Sequence, residues 1–195
     1  SDWIKLVERT KLAPRDHEWD YSNFGIAVLG CAIADAYGSE YSELLESYIR
    51  KDLNLHRTRI GDGTGDLEGY WDWNRDDVYI AAGGVVSTVT DRLEYARIQM
   101  NEENGYLANT HAIHHQTGHI ELNDAIIDGV GLGWMIDKSN GIIWHDGGTD
   151  NFNSYLGFSR DTGFAVVVFS NTPDDFRYSA RDIGAKLLRT LVSQK

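Results

Sequence analysis

The chain has 195 residues, 42% hydrophobic and 25% charged with only two prolines, amounts that suit one folded domain, or one and a half, rather than a disordered tract. Its formal net charge of −12 repels phosphate backbones and anionic bilayers, so nucleic acid and such membrane surfaces are poor partners. The single cysteine, Cys31, rules out an internal disulfide and reads as a small buried hydrophobe in an apolar run. No apolar run reaches the roughly 18 residues of a membrane span. The chain starts at Ser1 without an initiator Met or a basic-then-apolar leader, and is expected to be a processed or truncated product.

In chain order, residues 24–37 (FGIAVLGCAIADAY) are apolar almost all round, which predicts a helix buried on several sides, with Gly25 and Gly30 admitting close neighbours. Gly38 is placed to stop it, and Ser39 to cap the next helix. Tyr41, Leu44, Leu45, Tyr48 and Ile49 then recur at helical spacing and predict an amphipathic helix over about 40–52. Residues 56–80, rich in Gly, Asp and Trp, read as a long ordered loop. A helix over about 88–101 comes after it, capped by Ser87 or Thr90.

From about residue 130 the texture changes. GLGWMID, GIIWHDG, NSYLGFS and GFAVVVFSN are short β-rich runs, the last two joined by the hairpin signal RDTG. Residues 174–192 close the chain with an amphipathic helix, Ile183, Leu187, Leu188 and Leu191 on one face. Helices, then antiparallel strands, then a helix make an α+β fold. The expected division is a mostly helical region, 1–129, and a region of strands plus the last helix, 130–195, in one fold.

Four short motifs invite a chemical reading. HAIHHQTGH spaces His111, His115 and His119 four apart, one face if helical and attractive to zinc. Gly118 weakens that helix and no H-E-x-x-H glutamate is present, so a solvated segment is the better reading. DWNRDD, residues 72–77, begins like a calcium loop with Asp72, Asn74 and Asp76, but Asp77 stands where glycine is required and Gly83 where glutamate is. No metal and no other cofactor is therefore assigned. Tyr21-Ser22-Asn23 alone is no more than a helix start, and His145-Asp146-Gly147-Gly148 alone no more than a strand end and turn.

Their order carries more than either does alone. Tyr-x-Asn opens a packed Ala/Gly-rich helix, AAGGVVSTVTDRLEYAR comes next, and His-x-Gly-Gly sits on a strand with two further strands ending in VVVFSN. This series resembles the serine β-lactamase and penicillin-binding-protein-like superfamily, in the branch of class C β-lactamases, D-Ala-D-Ala carboxypeptidases and related esterases. The likeness runs from about residue 17 to 192.

The resemblance implies a β-lactamase/transpeptidase-like fold and an acyl-transfer site built on three motifs: S-x-x-K, Y-x-N, and K-T-G or H-x-G. Tyr21 and Asn23 match the second, and His145 and Gly147 the third. Acyl transfer needs a nucleophile, a base and oxyanion donors. By resemblance, Tyr21 relays a proton beside the first-motif lysine, and Asn23 holds the substrate amide and that lysine. His145 lines the cleft, Gly147 keeps the strand surface clear, and the Gly148 N–H serves as a second oxyanion donor. The substrate implied is a small molecule or a D-amino-acid peptide, and the compartment extracytoplasmic in a bacterium.

Two departures stand out. The family often continues His-x-Gly-Gly with Thr-Pro-Gly-Phe, whereas this chain has Thr149-Asp150-Asn151-Phe152; Asn151 is suited to a left-handed turn, and Asp150 adds negative charge that disfavours anionic substrates such as β-lactams. More consequentially, no S-x-x-K occurs within the 195 residues. The expectation is the C-terminal portion of a serine hydrolase, with the N-terminal part of the fold and the nucleophile outside this chain and no activity on its own. The alternative is a non-catalytic ligand-binding or sensor module on the same fold. A sheet missing its first strands would also expose an edge, which predicts self-association.

Overall fold

A run of small and apolar residues, broken by Asp35, forms the helix expected over 24–37, and its two ends show why it starts and stops where it does. The structure, a computed structural model, describes residues 2–11, 19–62, 74–101, 105–172 and 178–194. The chain divides into two compact units, Ser1–Ser87 and Thr88–Lys195, whereas the sequence placed the change of texture near residue 130.

The first unit begins with α1 (Asp2–Arg9), a helix beyond those expected from the sequence, followed by α2 (Asn23–Tyr37) and α3 (Tyr41–Lys51). Ser22 is extended (φ −139°, ψ 102°) and its Oγ accepts from the Gly25 N–H at 2.9 Å, satisfying one of the orphan donors of the first turn. Gly38 stops α2 in the left-handed region (φ 63°), with Gly38 N–H donating to Asp35 O and Ser39 N–H to Ala34 O. Ser39 does not cap α3: the cap position is Glu40, and the Ser39 hydroxyl donates to Glu43 Oε2 at 3.0 Å.

Residues 56–62 and 74–87 add β1 (Arg59–Ile60), α4 (Ile80–Gly83) and β2 (Val85–Val86), with β1 and β2 antiparallel. The middle of the expected long loop, with Trp71, Trp73 and Asp72 of the calcium-like motif, lies outside the described residues. Gly30 is the glycine that brings α2 and α4 together: a Cβ there would lie 2.5 Å from the Ala81 Cβ, whereas one at Gly25 would meet only its own cap. Burial of α2 is one-sided rather than all-round. Ala27 and Gly30 are buried, while Ile26 and Leu29 are 41% and 54% exposed.

The second unit opens with α5 (Val89–Gln99), capped by Thr88, whose hydroxyl accepts from Asp91 N–H at 3.3 Å, rather than by Ser87 or Thr90. Then come α6 (Gly105–Thr110) and six strands: β3 (His115–Leu122), β4 (Ala125–Val130), β5 (Met135–Asp137), β6 (Ile142–Gly148), β7 (Asn153–Ser159) and β8 (Phe164–Ser170). They form one antiparallel meander in chain order. Its sheet begins at His115, not near 130, because the histidine segment is a strand and not a helix face. The last helix, α7 (Ala180–Val192), starts where the Ser179 hydroxyl accepts from Asp182 N–H at 3.2 Å, and residues 174–177 of the expected span lie outside the described residues.

Side-chain alternation puts a helix on each face of this sheet. Ala96 of α5 joins Trp134, Ile143 and Phe158 in one buried cluster. On the other face Tyr155 stacks on Trp144 at 5.9 Å and lies against Gly184 of α7, where a Cβ would sit 2.2 Å from the Tyr155 ring. Trp144 also donates from Nε1 to Ile126 O at 2.8 Å, so the largest fully buried side chain leaves no polar atom unmatched. Complete burial of a side chain such as Phe158 contributes about 1.5–3 kcal/mol.

Candidate active site

Both expected motifs lie at the ends of regular elements, one in each unit. In the first unit, Tyr21 directly precedes the Ser22 cap and Asn23 is the first residue of α2; both are exposed, Tyr21 by 49%. The cap explains the residue between them: the Ser22 oxygen is turned onto the first turn of its own helix.

In the second unit the His-x-Gly-Gly segment is the C-terminal end of β6. His145 pairs with Leu156, Gly147 with Ser154 and Gly148 with Asn153. By alternation His145 and Gly147 share the α5 face of the sheet, while Trp144 and Asp146 face α7. A Cβ at Gly147 would approach Ser154 Oγ to 2.9 Å, so a larger residue here would have to turn the serine hydroxyl aside.

The neighbouring strand stops short of it. β5 covers β6 only as far as the pair Met135–Trp144. On the other side, Thr149 N–H donates to Phe152 O at 2.8 Å, which makes that pair a hydrogen-bonded one. Strict antiparallel alternation then turns the peptide groups of Asp146 and Gly148 away from β7, toward the flank that β5 has vacated. The Asp146 carbonyl on this flank accepts a short hydrogen bond from His145 Nδ1–H. That bond makes Nε2 the unprotonated nitrogen of the neutral ring.

The β6–β7 turn differs from its expectation. Neither Asp150 nor Asn151 takes a left-handed backbone; among the described residues the positive-φ residues other than glycine are Asn54 and Asn123. On the α7 face, Arg181 donates from a guanidinium nitrogen to Asp146 Oδ2 at 3.2 Å. Asn153, 2% exposed, accepts from Ala180 N–H at 2.6 Å and donates to Thr172 O at 2.7 Å. Sequence reasoning missed Arg181 and Asn153; the available signals were an arginine in the first turn of the last helix and an asparagine opening a strand. Burial pushes the Tyr155 phenol far up, with the Asp137 and Asp146 charges adding to the effect.

The three histidines of the zinc-like spacing are separated by the strand geometry. His111 is buried against Trp134 and Phe158, and its Nε2 meets Gln99 Oε1 at 3.0 Å. His119 bridges Asp128 and Glu121 on the surface, and these carboxylates raise its pKa. Among the described residues no group of three or more His, Cys, Asp or Glu side chains is placed to hold a metal ion.

The sequence matches the beta-lactamase family over residues 1–190. The chain belongs to the beta-lactamase family. Among curated relatives of this beta-lactamase-family chain, an unguisins hydrolase (ungD') of Aspergillus campestris is 29% identical over 216 residues, covering 98% of this chain and 39% of that protein. Protein flp of Staphylococcus aureus is 21% identical, covering 82% of this chain and 34% of that protein. The chain thus spans between a third and two fifths of these relatives' length.

Solved structures show the same fold. A β-lactamase/D-alanine carboxypeptidase of Yersinia pestis superposes with a TM-score of 0.74 at 21% identity, covering 99% of this chain and 60% of that one. For a class C β-lactamase of Rhodobacter sphaeroides the TM-score is 0.70 at 19% identity, over 98% of this chain and 64% of that one. An octameric penicillin-binding protein homologue of Pyrococcus abyssi gives 0.75 at 19%, over 98% and 46%. The 195 residues therefore hold a portion of the β-lactamase-like fold: helices, an antiparallel sheet and a closing helix.

Proposed function

We propose that this chain is the part of a serine acyl-transfer hydrolase that supplies the Y-x-N and H-x-G motifs, the acyl-enzyme forming on a Ser-x-x-Lys serine outside these residues. The observation that carries the reading is the end of β6, which runs past its last pair with β5. There a histidine held through Nδ1 by the Asp146 carbonyl, a glycine face without side chains and, by strand alternation, a Gly148 N–H directed away from β7 lie within four residues. Such a strand edge can pair with an extended acyl substrate, and an N–H aimed from it can stabilise the oxyanion of a tetrahedral intermediate. In this reading Tyr21 relays a proton and Asn23 and His145 orient the substrate. The substrate is a β-lactam, a D-amino-acid peptide or a simple ester, in an extracytoplasmic compartment.

Intact mass after incubation with a fluorophosphonate and, separately, a penicillin tests this. A gene product that continues upstream through Ser-x-x-Lys is expected to gain one adduct, and the 195-residue chain none. A stoichiometric adduct on the 195 residues, with Ser22 the first candidate, would overturn the assignment. In the longer protein, Tyr21→Phe and His145→Ala should each lower kcat by about 10²-fold or more with the fold intact; near-wild-type rates in both would remove their roles. The 195 residues contain no S-x-x-K, which supports a second reading, a ligand-binding or sensor module. A gene without that motif upstream of Ser1 would favour it.

A further inference from the structure

The end of β6 that carries His145 and the two glycines projects past the Ile143–Phe158 core, and two successive glycines have no side chains with which to anchor themselves. What holds this end comes from the opposite face. Arg181 reaches Asp146 Oδ2 at 3.2 Å, with side chains only 24% and 22% exposed. One residue earlier, Ala180 N–H donates to Asn153 Oδ1 at 2.6 Å, and Asn153 is the register partner of Gly148. The first turn of α7 is thereby tied to both strands of the β6–β7 hairpin, level with His-x-Gly-Gly.

We propose that Arg181, acting through Asp146, is a positioning residue that sets the placement of His145 and of the Gly148 N–H. The proposal rests on the hydrolase reading given above. Asp146 lies between His145 and Gly147, so gripping its side chain from the α7 face fixes the tilt of the peptide groups on either side. One of these is the carbonyl that accepts His145 Nδ1–H. Arg181 is also poorly placed for the helix that bears it, because a cation in a first turn opposes the helix dipole. Asp182 in the same turn and Arg189 in the last turn follow the favourable pattern. Two carboxylates offset this placement of Arg181, Asp146 on β6 at 3.2 Å and Asp182 in the same turn at 3.8 Å, and the nearer is the one on β6. A half-buried pair of this kind is also less screened by salt than an exposed one.

The test uses the full chain and nitrogen-15 NMR, and needs no turnover. Arg181→Ala is expected to shift the imidazole nitrogens of His145 and the amide of Gly148 and to speed hydrogen exchange at Gly147 at least tenfold. The Trp144 indole signal should stay in place, and Arg181→Lys should recover most of the wild-type pattern. If Arg181→Ala disturbs the Trp144 signal as well, Asp146→Asn decides, since it removes the charge pair at constant volume and should give the same local signature. Wild-type His145 and Gly147 signals in folded Arg181→Ala, or in Asp146→Asn, would overturn the positioning role. That failure is distinct from failure of the hydrolase reading, which is decided by adduct formation in the longer protein.

Discussion

Two single residues show how tightly the second unit is specified. Gly184 faces the Tyr155 ring so closely that an added methyl would sit 2.2 Å from it. Tyr155 is itself pinned by Trp144 and cannot retreat. Gly184→Ala is therefore expected to destabilise by about 1–3 kcal/mol despite the better helix propensity of alanine. A urea midpoint equal to or above wild type would show that α7 can shift to make room. His111 sets a pH dependence. It is 5% exposed, packed among Trp134, Phe158 and Gln99, and burial together with the Arg160 charge lowers its pKa from 6.5 to about 4. The folded chain keeps this ring neutral while the unfolded chain takes up a proton below 6.5, so stability is full above pH 6.5 and falls as pH is lowered toward 4. The loss attributable to His111 by pH 4.5 is on the order of 2 kcal/mol. His111→Gln should lose correspondingly less between pH 7 and 4.5 in urea titrations, and equal losses in the two proteins would assign the effect elsewhere.

At the scale of elements, α2 illustrates how local chemistry frames a candidate site. Its beginning depends on the Ser22 hydroxyl and its end on a left-handed Gly38. Ser22→Ala and Gly38→Ala should each cost about 1 kcal/mol in urea unfolding, the first through a lost cap and the second through backbone strain. In the longer protein Ser22→Ala should leave serine adduct formation unchanged; loss of the adduct would make Ser22 a reacting group and not a cap. The strands differed in how readily they could be read. GIIWHDG, NSYLGFS and GFAVVVFSN are legible because β-branched and aromatic residues crowd strands of a sheet packed by helices on both faces. HQTGHIEL did not. β3 is an edge strand with little burial, and its pairing with β4 shifts register between Gln116 and Ile120, around the left-handed Gly118, so the alternation of period two is broken. The polar histidine run therefore looked like loop or helix.

At the scale of the molecule, the six-stranded sheet has β3 at one edge and β8 at the other. An edge strand of seven residues such as β8 can pair with a second copy. Sedimentation of the 195-residue chain is expected to show a concentration-dependent dimer or larger species, and a clean monomer over a wide concentration range would count against that. Among the described residues no helix is long and apolar enough to cross a membrane. The amino-acid sequence by itself determined the class of fold, most helices and the last strands, and the order of the two motifs, because these arise from periodicity, caps and short-range spacing. Only the tertiary structure decided where the sheet begins, that β5 stops short of His145 and leaves the Gly148 N–H turned outward, and that Arg181 grips Asp146 from 35 residues away. Those features depend on register and on contacts between distant segments, which no local pattern encodes.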